Sequence, residues 1–360
     1  MSGHPGSTRR AVVTGGAGFL GSHLTAALLR AGWSVVVVDD FSSGLHGNLP
    51  FREDDDALTV ITSDICAEWT VGEPVDVVFN FASLASPPQY LARPLHTLRA
   101  GSQGVANVID LAMRHGARLI QASTSEVYGD PAEHPQTEDY WGHVNPIGPR
   151  SVYDEAKRYA EALIAAHVRI GELDAGIVRI FNTYGPGMRP GDGRVIPNLI
   201  AAALGGAPLP VYGDGSQTRS FCYVDDLVAG VLAMAERRGE LGPVNLGNPD
   251  EISILGLARH IAGLTGHPGG IEFRPLPSDD PVRRLPDVGR AARILRWYPS
   301  TDLTTGLRQT IGWFRDHLIL ADAAGADAGN PYTRCHNEQW LNPLGTCYER
   351  QSTGQNSGSA

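Results

Sequence analysis

The residues best suited to do chemistry lie between Ser123 and Lys157. The stretch opens on Ser123-Thr124-Ser125-Glu126 and closes on Tyr153-Asp154-Glu155-Ala156-Lys157. A phenol and an ammonium four residues apart share one face of a helix. A cation held there favours the phenolate, so the Tyr153 pKa is expected to fall from its ordinary value of about 10. A phenol tuned in that way exchanges a proton with a sugar or alcohol hydroxyl near neutral pH. An exposed helix with an accidental Tyr/Lys pair is the plain alternative, and the spacing alone does not exclude it. The neighbouring motifs argue against it.

Residues 11–14 read as a short apolar strand, and Gly15-Gly16-Ala17-Gly18-Phe19-Leu20-Gly21 follows at once. Gly16, Gly18 and Gly21 satisfy GxGxxG; Gly15, Gly18 and Gly21 also give GxxGxxG. With a helix over 22–31, this is a pyrophosphate cradle, in which small residues allow close approach and backbone N–H groups face the anion. A second strand over 35–38 ends at Asp39-Asp40, where Asp39 is placed to accept hydrogen bonds from the adenosine ribose. No Arg or Lys occurs from Asp39 to Pro50, so a 2′-phosphate would meet carboxylates, which favours NAD over NADP. A strand over 58–63 ends near Asp64, a contact for the adenine amino group. Another over 75–81 leads into Ala82-Ser83-Leu84-Ala85-Ser86-Pro87, small residues suited to a nucleotide crevice.

A helix over 100–115 and a strand over 118–122 deliver Ser123 to the same edge, and a helix over 153–170 carries Tyr153 and Lys157. This alternation predicts an α/β fold: a doubly wound parallel (Rossmann) sheet with a smaller C-terminal substrate-binding lobe. The expected division is a flexible 1–10, an NAD-binding domain over 11–182 with a returning segment near 222–247, a substrate lobe mainly over 183–320, and a disordered or loosely docked tail over 321–360. Asn182 ends a strand beside the expected cleft. In a chain of net charge −10, Arg189, Arg194, Arg219, Arg283 and Arg284 on one lobe look like a diphosphate clamp.

With 360 residues, 42% hydrophobic and 19% charged, the chain is of the globular class and long enough for a large core. Its acidity argues against a general nucleic-acid binder. Residues 1–10 lack the apolar core of a secretory signal, and no apolar run reaches the length of a spanning helix, so no membrane partner is expected. Cys66, Cys222, Cys335 and Cys347 show no metal-ligand spacing and no dense framework; no metal is expected, a Cys335–Cys347 bridge is disfavoured, and a cytoplasmic location fits.

The strings STSEVYGD (123–130), NPIGPRSVYDEAKR (145–158), RIFNTYGPGM (179–188) and YGDGSQTRSFCYVDDL (212–227) carry a family likeness. Over roughly residues 10–318 the chain resembles the extended short-chain dehydrogenase/reductases and, among them, the UDP-glucuronate decarboxylases (UDP-xylose synthases). The resemblance implies oxidation of the glucuronosyl C4 by NAD, loss of carbon dioxide from the resulting β-keto acid, and return of the hydride to give UDP-xylose. It implies that Tyr153 takes the O4 proton, Lys157 holds Tyr153 and the nicotinamide ribose, and Thr124 and Ser125 bind around O4. Glu126 and Arg284 would serve decarboxylation and reprotonation at C5, while Asn182, Tyr212, Gln217 and Arg219 would hold UDP.

The candidate cofactor shell comprises Gly15, Gly18, Phe19, Leu20, Asp39, Asp40, Phe41, Ser43, Gly44, Asp64, Ile65, Phe81, Ala82, Ser83 and Ser123, with Tyr153 and Lys157. The candidate sugar-nucleotide shell adds Pro87, Tyr90, Arg194 and Val195. Sugar-nucleotide 4,6-dehydratases typically carry Asp where Ser125 stands, and 4-epimerases usually lack the Glu at 126; both remain alternatives, as does a sensor that binds dinucleotide without turnover. Several positions depart from the family pattern, among them Asn80, Gly101, Ala156 and Gly187, where His, Asn, Gly and Arg are usual. A homodimer through a four-helix bundle, built on the helices over 100–115 and 153–170, is also implied.

Overall fold

The computed structural model describes residues 8–50, 56–72, 74–268, 270–276, 283–323, 334–335 and 339–340. The first lobe is built from β1 (Arg10–Thr14), α1 (Phe19–Arg30), β2 (Ser34–Asp39), β3 (Leu58–Thr62), β4 (Val77–Asn80), α2 (Pro87–Ala92), α3 (Pro94–Arg99), α4 (Val105–His115), β5 (Arg118–Thr124), α5 (Ser151–Arg169) and β6 (Ala175–Ile180). The chain then runs through β7 (Thr183–Tyr184), α6 (Val195–Leu204), β8 (Leu209–Tyr212), β9 (Thr218–Ser220), β10 (Cys222–Tyr223), α7 (Val224–Ala235) and β11 (Val244–Leu246). It closes with β12 (Glu251–Ser253), α8 (Ile254–Thr265), β13 (Ile271–Arg274), β14 (Arg283–Arg284), α9 (Gly289–Leu295) and α10 (Leu303–Ala323).

Seven parallel strands form the central sheet in the order β11-β6-β5-β4-β1-β2-β3. Strands such as VVVV at 35–38 are continuous apolar runs because both sheet faces are covered. One face packs on α1, α7 and the second lobe, and the other on α4 and α5, giving two buried clusters. The order reverses between β4 and β1, and at such a switch point the loops at the strands' carboxyl ends part to leave a crevice. Gly15, Ala82, Ser123 and Thr124 all stand at that edge.

The expected helix over 100–115 is interrupted: residues Ala100–Gly104 form a π turn before α4 begins. The reason is close contact with α5, since a Cβ on Gly101 would lie 2.5 Å from the Ala156 methyl. In the second lobe, β9 pairs antiparallel with β12 and parallel with β14, bringing Arg219 and Arg284 into register. Strand β11 returns to the central sheet beside β6. The expectations for 1–10 and for the tail over 321–360 fall almost wholly outside the described residues, as does the Cys335–Cys347 pairing; Arg334–Cys335 and Gln339–Trp340 pair antiparallel.

Candidate active site

A cleft of about 620 Å³ follows the carboxyl edge of the sheet and continues under the second lobe. At its first end the turn after β1 touches the segment after β4. A Cβ on Gly15, whose φ is +69°, would sit 2.8 Å from the Ala82 backbone, and one on Gly21 would sit 2.0 Å from the Gly15 carbonyl oxygen. Only glycine permits this approach, which leaves backbone N–H groups at the start of α1 open to the cleft. Asp39 is fixed at the end of β2, its two oxygens accepting from Ala17 N at 2.9 Å and Phe41 N at 2.8 Å. A backbone cradle, a fixed carboxylate and a buried, unpartnered Arg189 Nε fit the pyrophosphate and ribose of a dinucleotide.

Gly15, Gly18, Phe19, Leu20, Asp39, Asp40, Ser43, Asp64, Ile65, Phe81, Ala82, Ser83 and Ser123 border the cleft, but Phe41 and Gly44 do not. Those two shape the loop behind it. Phe41 has a φ of 55° and stacks on His46 at 3.7 Å, while Gly44 packs against Asp39 with no room for a side chain. The Ser123 hydroxyl turns away and donates to Glu161 at 2.5 Å. At the adenine end, Asp64 Oδ2 meets His96 Nε2 at 2.9 Å, and the ligand atoms of Asp64, Cys66 and His96 lie within 4.8 Å of one another. Cysteine spacing did not suggest that grouping.

At the other end β5 delivers Thr124, and a short turn, Ser125–Tyr128, follows with Glu126 N donating to Thr124 Oγ1. Helix α5 brings Tyr153 and Lys157 against it, both buried. Lys157 Nζ donates to the Ala122 carbonyl at 2.9 Å and lies 5.7 Å from the centre of the Tyr153 ring. The expected fall in the Tyr153 pKa is overturned. Burial drives the phenol upward, a hydrogen bond with Thr124 offsets this only in part, and Glu126 pushes it up further. The same burial lowers Lys157 to about 8. Desolvation therefore outweighs the pairing from which the shift was expected. Tyr90 lies parallel to Tyr153, ring centres 5.2 Å apart.

Glu126 sits between two guanidinium groups. Arg150 Nη2 donates to Oε2 at 2.8 Å, and Arg284 donates to both oxygens, at 3.1 Å to Oε2. Burial alone would raise Glu126, but Arg284 and Arg150 hold it down to about 2. Arg284 is buried and faces the cleft, whereas Arg283 is exposed, as alternation along β14 requires. Loop residues near Gln136 clamp that strand: Gln136 N donates to Leu285 O and Asp287 N donates to Gln136 O.

Pro87, Tyr90, Asn182, Arg194, Val195, Tyr212, Gln217 and Arg219 border the outer part of the cleft. Gln217 Nε2 donates to Tyr212 O at 2.7 Å, and Arg194 pairs with Asp192. Sequence reasoning missed Arg150. Its signal was its place three residues before Tyr153 at the start of the same helix. Arg189, grouped by sequence with the diphosphate clamp, instead reaches the Asp39 loop, so the absence of nearby basic residues in the chain did not mean their absence in space.

The parts define a dinucleotide-dependent enzyme in which a Tyr/Lys pair and a carboxylate between two arginines face one substrate space. Residues 11–247 match the model of the NAD dependent epimerase/dehydratase family. The chain belongs to that family, and its cofactor is NAD. It is 47% identical over 310 residues to UDP-glucuronic acid decarboxylase 1 of Xenopus tropicalis, covering 86% of this chain and 73% of that one. Among solved structures, the epimerase Mth375 from Methanothermobacter thermautotrophicus superposes with a TM-score of 0.82 at 31% identity, covering 88% of this chain and 95% of that one. MoeE5, solved in complex with UDP-glucuronic acid and NAD, superposes with a TM-score of 0.75 at 30% identity, covering 86% of this chain and 99% of that one.

Proposed function

We propose that the chain converts UDP-glucuronate to UDP-xylose and carbon dioxide. The observation that carries this reading is Glu126 held between Arg150 and Arg284, next to Ser125. Two guanidinium groups against one carboxylate leave a net positive charge, suited to a substrate bearing a carboxylate of its own. Ser125 has no acidic proton near pH 7 with which to expel a hydroxyl, as a dehydratase must.

Bound NAD supplies a reversible hydride acceptor for C4. Tyr153, hydrogen-bonded to Thr124, exchanges the O4 proton, and Lys157, anchored on Ala122 O, fixes the ring and the adjoining ribose. When the C5 carboxylate leaves as carbon dioxide, its bonding electrons pass to the C4 carbonyl oxygen. Thr124, Ser125 and Tyr153 donate to that developing anion. Glu126 and Arg284 then order the water that protonates C5. Asn182, Tyr212, Gln217 and Arg219 hold the UDP portion, with Arg219 on the phosphates. In a panel of nucleotide sugars, UDP-glucuronate should be consumed with formation of a UDP-pentose. Turnover of a 6-hydroxymethyl sugar to its epimer or its 4-keto-6-deoxy form would replace this reading with that of an epimerase or dehydratase.

A homodimer supports the same architecture. Leu91, Leu95, Leu98 and Tyr159 are exposed on α2, α3 and α5, an apolar patch suited to a second copy in a four-helix arrangement. A monomeric mass by light scattering at micromolar concentration would count against it. Cys66 and Cys222 are free thiols, and we read the enzyme as cytoplasmic on that ground. Among the described residues no helix is long and apolar enough to cross a membrane.

A further inference from the structure

The loop between β7 and α6 crosses back over the first lobe and carries Arg189 into the cofactor end of the cleft. Its Nη2 donates to the Gly44 carbonyl at 3.1 Å, across 145 positions of sequence. Gly44 in turn lies against Asp39; a Cβ there would be 2.8 Å from Asp39 Oδ1. The guanidinium is near enough to favour the charged form of the Asp39 carboxyl, against the burial that raises it. The Asp39 oxygens each accept one backbone N–H, and each retains a lone pair for a ligand. Arg189 Nε, by contrast, is buried without a partner. An unpaired buried N–H is costly, and the cost is relieved when a ligand oxygen arrives.

If Arg189 served only to tie its loop to the first lobe, the Gly44 contact would suffice, and Nε would gain nothing from facing the cleft. The arrangement of carboxylate and guanidinium around one space matches a vicinal diol, which donates to the one and accepts from the other. We infer that Arg189 is a second reader of the adenosine ribose, donating to the hydroxyls that Asp39 accepts from and closing the second lobe over the cofactor. The inference rests on NAD as the cofactor and adds a residue that the stretch from Asp39 to Pro50 does not contain. It also makes cofactor release depend on lifting the 185–194 loop.

The test is calorimetric titration of the full-length enzyme, stripped of dinucleotide, with NAD, ADP-ribose and UDP. Arg189→Ala should weaken NAD and ADP-ribose by a common factor of about 10 or more while UDP stays within about twofold, as loss of a charged hydrogen bond at the ribose requires. Arg189→Lys should fall between, since a point charge replaces a fork. NAD affinity unchanged in Arg189→Ala would overturn the inference. Equal losses for NAD and UDP, or a lowered melting temperature without ligand, would reduce Arg189 to a structural tie and overturn it as well. Failure of the wild-type enzyme to bind NAD would instead strike the cofactor reading itself.

Discussion

At Tyr153 and Lys157, burial and pairing compete for one proton, and burial prevails on both side chains. The phenol is therefore held neutral and hydrogen-bonded to Thr124, ready to be polarised once a hydroxyl lies beside it. Tyr153→Phe should lower kcat by about 10²- to 10⁴-fold, the usual worth of a positioned proton carrier, with UDP binding retained. Wild-type rates would remove Tyr153 from the chemistry. Arg150→Ala should raise KM for UDP-glucuronate about tenfold or more and leave UDP affinity unchanged, because the loss falls on the carboxylate seat. An equal loss for UDP would place Arg150 elsewhere.

Asp154 adds a pH signature. Burial and then Glu126 raise its carboxyl to about 7. Between its unfolded value near 3.8 and that folded value, the native state binds a proton that the unfolded chain lacks. Stability from this group accordingly falls as pH rises through the window and is flat above it. Asp154→Asn should thus gain in melting temperature relative to wild type from pH 5 to pH 8; a constant difference would contradict the shift. Tyr153, Lys157, Thr124, Ser125 and Glu126 were legible because they lie in short contiguous motifs. The partnership of Arg150 with Glu126 and the reach of Arg189 to Gly44 were not, since both are tertiary contacts that no spacing encodes.

Among the elements, the first half of the chain declares itself. Continuous apolar strands, a glycine turn and amphipathic helices recur in an order that only a parallel sheet can satisfy. The second lobe is harder to read because strands such as β9 and β14 span two or three residues, too few for a period to show. Their register nevertheless sets Arg219 beside Arg284. The π turn at Ala100–Gly104 was also illegible, since it answers to the approach of α5. Gly101→Ala should push α5 away at Ala156, destabilising the fold by about 1–3 kcal/mol, the usual cost of overpacking. It should also lower kcat, because α5 carries Tyr153 and Lys157. Unchanged melting and turnover would show that the two helices yield freely.

For the whole molecule, the central sheet presents the dinucleotide cradle, the second lobe presents arginines, and the cleft between them brings a hydride acceptor, a proton carrier and a cationic seat to one sugar. The account stands or falls on the fate of the substrate's carboxylate. The direct measurement is turnover of UDP-glucuronate labelled with ¹³C at the carboxyl carbon, in deuterated water, followed by NMR of the nucleotide sugar and collection of the gas. The account predicts that all the label leaves as carbon dioxide and that the UDP-pentose carries solvent deuterium at C5. Label retained in the recovered nucleotide sugar, with no labelled gas, would contradict it.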